Sequence, residues 1–244
     1  LKAIFSTSRL LYSIAASFSP IFCLFCSMIF TESDRSSPIR AISSVAFSIS
    51  GAMVGIRKRM DIFGVLVLGV VTAVGGGKMR DVILGKTPSA FLKPIYVEVA
   101  VISSLVPFII LYVNKKMVHS KYQDFYAIVM FLMDSLGLGI FTALGISTGV
   151  NAGYEDNMFF LCFLGTLTGV GGGLLRDMMA GVPPYIFVKH VYACASIAGA
   201  ICCVLVYRSY GQLPALIVGT AVVLAIRIVA AHYRWNLPCV KLEE

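Results

Sequence analysis

Charge is scarce in this sequence. Asp, Glu, Lys and Arg make up only 13% of its 244 residues, about half the share of an ordinary water-soluble domain, and that deficit excludes a soluble fold. Histidine is scarcer still. His119, His190 and His232 all lie in or near connectors, so no imidazole cluster is available to hold a metal. The cysteines do not supply one either: Cys23, Cys26, Cys162, Cys194, Cys202 and Cys203, six of the seven, sit inside apolar runs and read as small buried hydrophobes. Cys23-x-x-Cys26 is only a weak redox signal. No nucleophile, base and oxyanion set is present, and the glycine-rich runs follow helices rather than strands, which removes phosphate-loop and dinucleotide readings. The expectation is a protein that is not an enzyme, with no catalytic residues, no cofactor and no metal.

Apolar residues fill the gap, at 58% of the chain. Runs close to the bilayer-spanning length recur along the whole sequence: Ile39 to Ile56, Ile62 to Ile83, Ile95 to Val113, Phe125 to Val150, Met158 to Met179, Val191 to Tyr207 and Leu213 to Ala231. The fold class is therefore an all-α integral membrane protein of seven transmembrane helices. An eighth stretch, Leu10 to Phe30, with Lys2 and Arg9 on its flank, has the pattern of a signal peptide or signal anchor. Residues 1–38 are set apart as an N-terminal extension, signal-like or an extra helix. The net charge of +8 sits mostly in short connectors, where Lys and Arg set membrane orientation, so no nucleic-acid partner is expected.

A duplication organises the rest. Leu68 to Tyr96 matches Leu164 to Tyr192 at a constant offset of 96, with 14 identities in 29 positions, among them Gly-Gly-Gly followed by Arg-Asp. Residues 39–121 form a first three-helix repeat, 122–212 a second, and 213–244 the seventh helix with a tail. Three spans per copy is an odd number, so the second copy enters the membrane from the opposite face and the repeat is inverted. Outside the spans, nine Lys and Arg fall on one side (Arg57, Lys58, Arg59, Lys115, Lys116, Lys121, Lys189, Arg234, Lys241) against five on the other. The positive-inside rule then places the C-terminus in the cytoplasm of a multi-pass protein of the cell (plasma) membrane.

Three glycines in succession strip nearly a full helical turn of side chains and cost roughly 1 kcal/mol each relative to alanine. Helices 2 and 5 are therefore expected to be kinked or unwound at Gly75, Gly76, Gly77 and at Gly171, Gly172, Gly173. Backbone groups freed in this way persist only where they are buried in protein or line a wet cavity. The freed carbonyls suit a cation and the freed N–H groups an anion, so both directions remain open. Ionisable residues follow each triplet: Lys78, Arg80 and Asp81, then Arg176 and Asp177. Charged groups at this depth point to function unless they are paired in a structural clamp. For the two Arg-Asp pairs both readings stand. Lys78 is matched by Leu174, so symmetry does not require it and a pore or gating role is favoured. Asp134, alone in the middle of the fourth span, reads as path-lining, and Arg227 in the last span as structural, either snorkelling or paired with Asp134.

The segments D-I-F-G-V-L-V-L-G-V-V-T-A-V-G-G-G-K-M-R-D-V-I-L-G (Asp61 to Gly85) and T-G-V-G-G-G-L-L-R-D-M-M-A-G-V-P-P (Thr168 to Pro184) resemble the prokaryotic membrane family related to the trimeric intracellular cation channels, a domain also labelled a glycine transporter. The resemblance spans roughly Ile39 to Ala231. It implies a homotrimer in the lipid bilayer and a pore in each subunit between the kinked second and fifth helices. It also implies conduction of monovalent cations, potassium included, with Lys78 as the pore-facing basic position. Two alternatives stand beside the channel: a secondary transporter of glycine or a similar small zwitterion, and a structural membrane protein whose glycines merely allow close packing.

Overall fold

The computed structural model describes residues 37–113, 123–188, 191–233 and 235, and within these every regular element is helical. The expected leading segment, and Lys115, Lys116, Lys121, Lys189, Arg234 and Lys241 of the orientation count, lie outside the described residues. Leu1–Ala41 and Ile42–Glu244 are separate compact units, and only the opening of the first long helix belongs to the described part of the former.

Among the described residues nine helices follow one another: α1 (Ser37–Arg57), α2 (Ile62–Ile83), α3 (Ser89–Leu92), α4 (Ile95–Val113), α5 (Gln123–Val150), α6 (Met158–Met179), α7 (Tyr185–Val188), α8 (Tyr192–Tyr210) and α9 (Gln212–His232). Seven of them are long and apolar enough to cross a membrane, and α3 and α7 are the short ones. Their large apolar side chains stay exposed along the outer faces, among them Ile109, Tyr112 and Ile217. That is the pattern of helices whose outer faces are solvated by lipid.

Local geometry recurs at the offset of 96. Asp61 accepts the Gly64 N–H to cap α2, and Asn157 accepts the Phe160 N–H to cap α6. At the other end of α2 the Lys86 N–H donates to the Asp81 carbonyl and the Gly85 N–H to Val82. Beyond α6, Val182 donates to Asp177 and Gly181 to Met178 in the same way. This paired closure is a Schellman turn, and it needs a left-handed residue, which Gly85 (φ 63°) and Gly181 (φ 62°) provide. Nothing lies near the missing Cβ at either position, so backbone strain alone opposes a side chain there. Gly181→Ala is expected to cost about 1 kcal/mol, read as a fall of about 2–4 °C in thermal unfolding.

Small residues set the helix spacing. α1 crosses α2 where Gly51 meets Leu68, Gly69 and Thr72, and α5 crosses α6 where Gly145 meets Leu164, Gly165 and Thr168. α8 and α9 meet at Gly199 and Gly219. Thr142 Oγ1 and Ser196 Oγ, 2.8 Å apart, join α5 to α8.

Candidate functional site

Both glycine triplets sit where α2 and α6 cross. A Cβ on Gly76 would overlap the Thr168 carbonyl oxygen, and one on Gly172 would overlap that of Thr72. The backbones therefore touch directly, in the geometry of reciprocal Cα–H···O contacts worth about 0.5–1 kcal/mol each. The pairing is antiparallel: Leu175 lies over Gly75, at 2.6 Å from its missing Cβ, and Met79 over Gly171, at 2.9 Å. The chain thus fills the notches left by two glycines with one apolar side chain from each helix.

Of the two expected forms, kinked or unwound, the structure excludes the second. α2 and α6 each run as uninterrupted α-helix through their triplets, so the backbone does not unwind there and no half-helix ends are freed to bind an ion. The physical reason is the crossing itself: glycine's low helix propensity is offset by contacts that only a residue without a side chain allows. The third glycines differ: the Cβ position of Gly77 meets only Arg80 Nη2 of its own helix, at 3.8 Å, whereas that of Gly173 meets Tyr192 Oη of α8 at 2.9 Å before Arg176 Nη2 at 3.7 Å.

Because the helices are antiparallel, their Arg-Asp pairs fall on opposite sides of the crossing. On the first, Arg80 Nε and Nη2 donate to Asp81 Oδ1 at 2.8 and 2.6 Å, and the Ser89 N–H donates to Asp81 Oδ2 at 2.8 Å. On the second, Arg176 Nε donates to Asp177 Oδ1 at 2.8 Å and the Tyr185 N–H to Asp177 Oδ2 at 2.9 Å. Each aspartate thereby staples the short helix that follows it to the end of its own span. The clamp reading of the pairs is the one this geometry displays.

The second side is more elaborate. Arg176 Nη1 also donates to Asp134 Oδ1 at 2.7 Å and to Ser50 Oγ at 2.6 Å. Arg227 reaches the other oxygen of Asp134 at 3.3 Å and Ser135 Oγ at 3.2 Å. The Arg227 guanidinium lies between the rings of Phe131 and Tyr192, at 4.8 and 4.6 Å. Two guanidiniums and two carboxylates, none more than 2% exposed, form a neutral quartet that ties α1, α5, α6 and α9 together. Asp134 is therefore not a free acid on a path but the shared counter-ion of two arginines. Arg176 Nη2 is buried in this quartet without a hydrogen-bond partner among the described residues.

Two clefts flank the crossing. One, of about 460 Å³, is bordered by Arg57, Lys58, Asp177 and Tyr185. Burial pushes the Tyr185 phenol up from its ordinary value, so it remains neutral. The other, of about 490 Å³, lies along the α2/α6 seam and is apolar apart from Lys78, whose ammonium stands over the Phe91 ring at 4.6 Å. Ser50, Ser135, Phe91, Tyr185 and Tyr192 were not marked as site residues by the sequence. The duplicated Phe91/Phe187 and Tyr96/Tyr192 were the signals that could have found two of them.

The model of the family described as glycine transporter matches residues 39–112 and 131–208. The UPF0126 inner membrane protein YadS of Escherichia coli K12 is 34% identical over 207 residues, 83% of this chain and 95% of that protein. A UPF0126 membrane protein of Deinococcus radiodurans is 35% identical over 206 residues, 83% of this chain and 91% of its own. Among solved structures, a TRIC cation channel studied for conductance is similar at a TM-score of 0.71 and 33% identity, over 84% of this chain and 97% of that one. The TRIC trimeric intracellular cation channel orthologue from Rhodobacter sphaeroides is similar at 0.71 and 28%, over 81% and 97%.

Proposed function

The chain belongs to the glycine transporter family, and from that premise we propose that it is a monovalent cation channel, permeable to potassium, with one path per subunit between α2 and α6. The similar solved structures are of cation channels, and one of them is named trimeric, which supports a homotrimer in the bilayer. The Escherichia coli relative is named an inner membrane protein, which supports the cell membrane as its place. The excess of basic residues on one side supports a cytoplasmic C-terminus. Residues 39–121 and 122–212 act as inverted halves, closed by 213–244.

One observation carries the reading: two antiparallel spans cross backbone to backbone at a glycine neck, with a buried Arg-Asp pair on each side of it. Polar groups at both ends of an apolar constriction suit conduction that is gated at the constriction. With Met79 and Leu175 in the notches, the neck is closed, and opening parts the two seams of glycine. Lys78, the one charged residue among the described residues that line the seam cleft, supplies a positive barrier.

Purified protein in planar bilayers is expected to give unitary currents that reverse towards the potassium equilibrium potential in a potassium chloride gradient. Traces indistinguishable from bare lipid would sink the channel. Lys78→Ala is expected to raise cation conductance about threefold, the factor for a unit charge felt across roughly 6 Å of wet path.

The cleft at Arg57, Lys58 and Asp177 favours a second reading, transport of glycine or another small zwitterion, since it offers both charge signs within one cavity. Saturable uptake of labelled glycine into liposomes, abolished in an Arg57→Ala, Lys58→Ala double variant, would establish it over the channel. Linear, non-saturating ion flux excludes it.

A further inference from the structure

Lys78 is the one ionisable residue of the motif without a mate in the other half, where Leu174 stands. Along the seam cleft its neighbours are aliphatic or thioether side chains, among them Val74, Val82, Leu167 and Leu175. Among the described residues its ammonium has neither hydrogen bond nor ion pair, and its contact is the face of Phe91. An unpaired ammonium in apolar surroundings is unfavourable, and the ring's negative face is the group that offsets this.

The ring is held in place from α2 itself. Phe91 belongs to α3, whose first residue, Ser89, donates its N–H to Asp81 at 2.8 Å, and the Phe91 N–H donates to the Pro88 carbonyl at 3.0 Å. Thus Lys78 and Asp81, three residues apart on α2, grip the same short helix from two sides. The ring itself is largely exposed, at 69%, so it contributes little to the packed interior.

Resting on the channel reading above, we infer that Phe91 is the positioning residue of the gate: its ring holds the Lys78 ammonium against the seam in the closed state and releases it on opening. A lysine that merely snorkels towards the interface has no need of that ring. The second half carries a built-in control, because Phe187 matches Phe91 while Leu174 takes the place of Lys78.

Single-channel recording of the full chain in planar bilayers tests this. Phe91→Leu is expected to raise the open probability about fivefold, the size of effect set by loss of one cation–π contact. Phe91→Trp retains the wild-type value or lowers it, and Phe187→Leu leaves it unchanged. In a Lys78→Met background, Phe91→Leu has no further effect. An unchanged open probability in Phe91→Leu overturns the inference while leaving the channel intact, as does an equal rise with Met at position 78 or in Phe187→Leu. A wild-type protein without current overturns the channel reading and this inference with it. Elution of each variant as the same single species in detergent shows that the comparison is between folded proteins.

Discussion

Asp134→Ala is expected to destabilise the protein by about 3–5 kcal/mol, the range for breaking a buried ion pair by removing one partner. Asp134 is 1% exposed and receives Arg176 on one oxygen and Arg227 on the other, at 2.7 and 3.3 Å. Its removal leaves two guanidiniums with one carboxylate, Asp177, whose second oxygen is already committed to the Tyr185 N–H. The surplus positive charge is buried, with Arg176 and Arg227 at most 2% exposed. Asp134→Asn keeps the shape and loses the charge, so it is expected to recover only a minor part. The discriminating variant is Asp134→Asn with Arg227→Met, which restores neutrality as Arg176 with Asp177 and leaves an apolar stem between Phe131 and Tyr192. It is expected to be more stable than Asp134→Asn alone. Chemical unfolding in detergent reads the order. If the double variant is the weaker of the two, net charge is not what the quartet protects.

The same quartet explains how far the sequence could be read. Hydropathy placed the spans within a few residues, from Ile62–Ile83 and Met158–Met179, found as expected, to Tyr192–Tyr210, which begins one residue later and ends three residues later. A span is a one-dimensional property, fixed by the thickness of a hydrocarbon layer. The pairing of Asp134 with Arg227 was one of two structural readings open to Arg227, because two lone charges of opposite sign in one membrane have few other partners. What was not legible is that Arg176 joins them. That contact depends on α5 and α6 crossing at Gly145, which turns Asp134 towards α6. Likewise Ser50, a small hydroxyl in an apolar run, carries no signal in sequence, and only the fold brings it to Arg176.

The glycine triplets were misread in one respect for a related reason: propensity describes a helix alone, and these helices are never alone. Two opposite signs follow for substitution by alanine. Judged by helix propensity, Gly76→Ala and Gly172→Ala each gain about 1 kcal/mol. Judged by the crossing, each drives a methyl group into a carbonyl oxygen of the facing helix, Thr168 for one and Thr72 for the other. Backbone cannot swing aside as a side chain does, so the upper part of the overpacking range applies, about 3 kcal/mol. The crossing wins by about 2 kcal/mol, and both variants are expected to unfold about 4–8 °C below the parent, with matched losses because their environments match. Gly77→Ala is the internal standard. Its Cβ position meets nothing closer than Arg80 Nη2 at 3.8 Å, so propensity alone acts and its unfolding temperature is expected to stay level or rise. Were all three alanines to behave alike, the triplet would be a matter of helix propensity, and the neck between α2 and α6 would lose its physical basis.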